Sequence, residues 1–84
     1  MAAGILALLR QRDPASSICP SDVARALADD EAQWRPLMPQ VREAASRLAH
    51  DGAVVMTQGE VVVDPGGQPH DPLRLRRGPA FPLT

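Results

Sequence analysis

The side chains that could do chemistry are few and far apart. Cys19 is the only cysteine, and His50 and His70 are the only histidines. Cys19 stands just before Pro20, where a helix can begin, and a thiolate is stabilised at a helix N-terminus. A nucleophile also needs a base held beside it. His50 falls at a helix end and His70 in a Pro-rich segment, with no pattern that brings either to Cys19. A small packing or capping cysteine accounts for the residue, and no catalytic residue is assigned. A metal centre needs three or four close N, S or O ligands. One cysteine and two distant histidines do not supply them, so neither a metal nor a cofactor is expected. Gly66-Gly67 follows a β-rich run and opens no helix, so it is not a phosphate loop.

The remaining chemistry is arginine chemistry. All nine basic residues are arginine, against ten acids, for a formal net charge of −1. Guanidinium forks suit phosphate and guanine, although coding bias is the more ordinary account of the absence of lysine. Arg35, Arg42 and Arg47 lie in the middle of the chain and Arg74, Arg76 and Arg77 near its end. The stretch between holds Asp51, Glu60, Asp64 and Asp71 and no arginine. Trp34-Arg35 has two readings. The indole could stack on a base while Arg35 reaches a phosphate at the helix start. Alternatively, Trp34 plugs a helix–helix gap and Arg35 lies over it or pairs with the acids at 29–31. The aromatic content of 2% favours the second, since the core can hardly spare one of its two large rings, Trp34 and Phe81.

These arginines are positioned by the stretch from Trp34 to Gly52, which reads as one long helix running from about Pro36 to Asp51. At about 100° per residue, Leu37, Val41, Ala44 and Leu48 form a buried stripe with Ala45 beside it. Pro39, Glu43, Ser46 and His50 fall opposite. Arg42 and Arg47 flank that face on its two edges, with Gln40 next to Arg47. Pro36 and Pro39 fit only near a helix start, and Gly52 suits the left-handed position after the last turn. Glu43 could pair with Arg47 at i, i+4, leaving a solvated face. Otherwise Gln40, Arg42, Ser46, Arg47 and His50 are types that read base edges and phosphates.

The rest of the chain covers this helix. Residues 2–12 read as a first helix with Ile5, Leu6, Leu8 and Leu9 inward, stopped at Asp13-Pro14. Residues 15–18 could pair as a very short strand. A second helix opens at Pro20, with Ile18 and Val23 as a hydrophobic staple, Asp22 reaching back to free N–H groups, and Val23, Ala24 and Leu27 inward. The acids at 29–31 crowd the negative pole of that helix, so 29–35 reads as a connection. Residues 53–57 and 60–64 read as strands joined by a turn at Gln58-Gly59. Leu73-Arg74-Leu75-Arg76 alternates and reads as an edge strand. A domain over 1–77 is expected, with 78–84 a loose tail.

This order of elements predicts an α+β winged helix-turn-helix: three helices followed by a β-hairpin wing. The motifs Ser17-Ile18-Cys19-Pro20-Ser21, Asp22-Val23-Ala24-Arg25-Ala26-Leu27 and Trp34-Arg35-Pro36-Leu37-Met38, with Val41-Arg42, Leu48-Ala49 and Gly52, resemble the bacterial DUF3253 family. The resemblance runs from Ile5 to about Leu75. It implies a winged helix, a bacterial cytosol and a basic residue at the hairpin turn; here the turn reads Thr57-Gln58-Gly59-Glu60. It brings no activity. The absence of 18 consecutive apolar residues and of a cationic leader fits a cytoplasmic protein without a membrane partner. The expected function is double-stranded DNA binding, in transcription or a related process, through Arg35, Gln40, Arg42, Ser46, Arg47, His50, Arg74 and Arg76. The competing expectation is a module that binds another protein, consistent with the acidic wing; an enzyme is not expected.

Overall fold

The structure is a computed structural model and describes residues 1–59, 61–63 and 73–82. The elements run α1 (Ala2–Arg10), β1 (Ser17–Ile18), α2 (Pro20–Leu27), α3 (Glu31–Trp34), a 3-10 turn (Arg35–Leu37), α4 (Met38–His50), β2 (Val54–Gln58), β3 (Val61–Val62) and β4 (Arg74–Arg77). The helices pack on one antiparallel sheet of strand order β1-β4-β2-β3. The architecture is therefore α+β, as the sequence predicts. Among the described residues, however, the sheet has four strands, not the two of a simple hairpin.

The core is aliphatic. Ile5 and Leu9 of α1, Val23 and Ala24 of α2, and Val41, Ala44 and Ala45 of α4 meet Ile18, Val54, Met56, Leu73 and Leu75. The α2 start is the one the residues specify. Pro20 opens the helix, and the Cys19 N–H donates to the Asp22 carboxylate at 2.9 Å. Leu27, expected inward, is 53% exposed at the last turn.

The acids at 29–31 do not end a helix; they begin one. The Ala32 N–H donates to the Asp30 side chain at 3.4 Å, and Glu31 sits in the first turn of α3. Negative charge crowded against a C-terminus is stabilising at the next N-terminus. The stretch from Trp34 is consequently not one uniform rod. Trp34 ends α3, residues 35–37 form the 3-10 turn, and α4 starts at Met38. Each proline occupies the first turn of its own segment, where no N–H is needed.

Beyond α4, the Gly52 N–H donates to Ala49 O at 3.1 Å and the Ala53 N–H to Leu48 O at 2.9 Å. These are the paired bonds of a Schellman ending, and Gly52 takes φ +82° as that ending requires. In the hairpin Gln58, expected in the turn, instead ends β2 and pairs with Val61, and Gly59 follows it at φ +62°. Residues 60 and 64–72, including Asp64, Gly66-Gly67 and His70, lie outside the described residues. β4 is an interior strand, not an edge: it pairs with β1 through Ser17↔Arg76 and with β2 from Val54↔Arg77 to Thr57↔Arg74. The segment expected to start a loose tail is bonded to the corner after α4 over 78–81. The Gly78 N–H donates to Ala53 O and the Ala80 N–H to Gly52 O, both at 2.9 Å, and Phe81 is buried.

Candidate functional site

α4 lies with Val41, Ala44 and Ala45 against the core, which turns Gln40, Glu43, Arg47 and His50 to solvent and leaves Ser46 half-buried. Arg47 donates to Glu43 at 2.7 Å, and both side chains remain well exposed. An exposed pair of this kind contributes only about 0.3–0.5 kcal/mol, so a phosphate can displace the carboxylate. His50 occupies the last turn of α4, with its side chain in solvent.

Arg42 belongs to a different neighbourhood. It is half-buried on the α4 flank nearest α2 and lines a groove of about 460 Å³ with Arg25, Trp34, Arg35 and the residues Cys19 and Ser21 at the start of α2. The Arg25 and Arg35 guanidinium carbons lie 4.9 and 5.7 Å from the centre of the Trp34 ring. Arg35 also pairs with Glu31 one turn before it. Both structural alternatives for Trp34-Arg35 therefore hold together: the half-buried indole packs against the core, while Arg35 covers it and meets an acid. Arg25 joins this group without any signal in the sequence. Its i, i+4 neighbours within α2 give no hint of it, because its partner is a ring on another helix.

Cys19 sits in the same groove, with its thiol accepting a hydrogen bond from Ser21 Oγ at 3.1 Å. Among the described residues no cluster of three or more His, Cys, Asp or Glu is placed to hold a metal ion. Among them, too, no helix is long and apolar enough to cross a membrane.

Arg74 and Arg76 stand elsewhere again. They alternate with the buried Leu73 and Leu75, so they project from the sheet face opposite the helices. Arg74 donates to Ser17 Oγ at 3.0 Å and to Ser17 O at 2.9 Å, holding β1 to β4. Arg76 is exposed between its register neighbours Ser17 and Val55. Arg77, grouped with them in the sequence, turns inward instead. Its guanidinium donates to the carbonyls of Leu9, Arg10 and Arg12 at the end of α1, at 3.0 to 3.4 Å. The expected site residues thus fall into three groups: Arg35 and Arg42 at the groove, Gln40, Ser46, Arg47 and His50 along α4, and Arg74 and Arg76 on the far side of the sheet.

These features define a small α+β domain that places an arginine-flanked helix and a three-arginine groove on the helical side of an antiparallel sheet. The chain belongs to the DUF3253 family, described as proteins of unknown function, whose model matches residues 1–78. No curated protein matches the chain.

Proposed function

We propose that the domain is a winged helix that binds double-stranded DNA, with α4 laid in the major groove. The observation that carries this reading is the outer side of α4. Gln40, Arg47 and His50 reach solvent together from a helix braced from below by the sheet, and these side-chain types can read base edges. Arg35 and Arg42 stand at the N-terminal end of α4, where backbone phosphates would pass. The element order supports the same reading, with β1 beside β4, β4 beside β2, and β3 paired to β2 as the second strand of a hairpin. Arg74 and Arg76, on the opposite sheet face, are left out of the contact.

The test is fluorescence anisotropy with a labelled duplex across a salt series. Binding is expected at low salt, with log K falling against log salt at a slope near −3, from roughly three to four phosphate contacts. Replacing Arg42 and Arg47 together by Ala should reduce that slope by about two while the circular dichroism spectrum stays native. Undetectable binding at low salt rejects the proposal, because the electrostatic contribution is largest there. A separate expectation concerns Glu43→Gln. Removing the carboxylate that phosphate must displace from Arg47 should tighten duplex binding about twofold.

A protein-binding role is the second reading, and one observation favours it. Val61 and Val62 on the outermost strand β3 are 68% and 61% exposed, where a DNA-gripping wing would present cations. An exposed apolar edge strand suits strand addition by a partner.

A further inference from the structure

β3 closes one end of the sheet order, so its outer edge has no strand beside it among the described residues. The ladder decides which groups that edge presents. The Val63 N–H donates to Met56 O at 2.8 Å, and Val62 stands opposite Thr57 one residue earlier. Hydrogen-bonded and non-hydrogen-bonded positions alternate in an antiparallel pair. Val62 therefore takes a non-bonded position, and its N–H and C=O point away from β2. Side chains alternate as well. Val63 packs against the core, so Val61 leans to the helical side and Val62 to the open face, and both are exposed. A strand added here finds a donor, an acceptor and an apolar neighbour on each face. Many edge strands carry a lysine or proline that blocks such addition, and Val61-Val62-Val63 carries neither.

Charge selects the occupant. The stretch 51–73, which carries β3, holds the acids Asp51, Glu60, Asp64 and Asp71 and no arginine or lysine. Glu60 and Asp64 are each two residues from Val62 in sequence, so the chain keeps their Cα atoms within about 7 Å of it. A second copy would bring the same acids to the seam, and like charges facing across a ladder are destabilising. A basic segment meets opposite charge instead. We propose that the β3 edge takes up, by strand addition, an extended segment of another protein in which apolar residues alternate with lysine or arginine. The Val62 N–H and C=O pair with the backbone of that segment. The proposal rests on the protein-binding reading above and names the partner's chemistry; α4 has no part in it.

The full chain, isotope-labelled for amide NMR, is titrated with a decapeptide of alternating lysine and valine and, separately, with its glutamate–valine counterpart. Saturable binding of the lysine peptide is expected, with slower amide exchange at Val62 in the complex. Val62→Pro removes the outward N–H without touching a bond to β2. It should weaken binding about fivefold, the equivalent of one hydrogen bond. Val62→Lys keeps that N–H but sets a cation against the basic peptide, and should weaken binding to a similar degree. Both variants are expected to keep a native circular dichroism spectrum. If the glutamate peptide binds equally well, charge does not select the partner and the proposal is overturned, although strand addition at β3 stands. If the lysine peptide binds but neither variant changes its affinity, it docks elsewhere, and the β3 site is rejected while a protein-binding role survives. If neither peptide binds, the proposal and strand addition at this edge fall together, with duplex binding by α4 untouched. A concentration-dependent dimer that Val62→Pro abolishes makes the occupant a second copy and overturns the proposal as well.

Discussion

Gly78→Ala is expected to destabilise the domain by roughly 3 kcal/mol or more, beyond the usual range for an added methyl group. A Cβ at this position would stand 2.2 Å from Gly52 O and 3.0 Å from both Gly52 C and Val54 N. All three atoms are backbone, so no side-chain rotation relieves the contact. Neither partner can retreat cheaply. Gly52 is fixed by the Schellman ending of α4 at φ +82°, and the Gly78 N–H is drawn toward the same corner by its bond to Ala53 O. The end of β4 would have to lift from the α4–β2 corner, taking the buried Phe81 with it. Urea unfolding gives the measurement, with Gly59→Ala as the comparison. Gly59 has φ +62°, and a methyl group added there would meet no atom within 4 Å. Its replacement therefore costs only the left-handed backbone, about 1 kcal/mol. Equal costs at the two glycines would show that the close approach at Gly78 is not tight.

The parts of this fold legible in the sequence are those set by neighbours a few residues apart. Pro20, Asp22 and the Ile18–Val23 pair announce α2 because helix starts are local chemistry. The inward face of α4 follows from the spacing of Val41, Ala44 and Ala45, and all three are buried. The acids at 29–31 mislead for a reason equally local: the same charges serve the end of one helix badly and the start of the next well, and α3 is too short to show a period. The interior place of β4 is hidden because alternation reveals which face a residue takes, not how many neighbours a strand has. Leu73 and Leu75 alternate with arginines identically at an edge and in the middle of a sheet.

The candidate site is legible to the same degree. The α4 residues can be ordered by angle, and Arg47 and Gln40 lie on the outer side as that order requires. The groove is not legible, because Arg25 and Trp34 meet across two helices with a connection between them. Nor is the separation of the terminal arginines from α4, which follows only once β4 is known to lie inside the sheet. The acids of the 29–31 run have a functional consequence too. By opening α3 they set Trp34 beside α2 and put Glu31 within reach of Arg35, so local capping chemistry positions the cations of the groove.

Arg77→Ala should cost roughly 2–4 kcal/mol, although the residue sits among arginines that read as surface charge. α1 ends with carbonyls that lack α-helical partners; Leu9 O takes one backbone bond, from the Arg12 N–H at 3.2 Å, and keeps a lone pair for a second donor. Arg77 Nη2 donates to Leu9 O at 3.0 Å, Arg12 O at 3.2 Å and Arg10 O at 3.4 Å, and Nε donates to Leu9 O at 3.3 Å. A positive group at a helix C-terminus also opposes the negative pole of the helix. The same guanidinium carbon lies 4.6 Å from the centre of the Phe81 ring, which adds about 0.5–1 kcal/mol and links the chain end to α1. One side chain therefore joins the first helix, the last strand and the segment after it. Urea midpoints should fall for Arg77→Ala with an unchanged m-value. The exposed Arg76, one residue away, should change stability by no more than about 0.5 kcal/mol when replaced by Ala. Arg77→Lys should restore only part of the loss, since a single ammonium cannot match a planar fork spread over three carbonyls. The acceptors are neutral, so the cost should persist in high salt, where exposed ion pairs are screened. A loss that vanished in salt, or matched that of Arg76→Ala, would mean that Arg77 is surface charge after all and that α1 is held to the sheet by its apolar face alone.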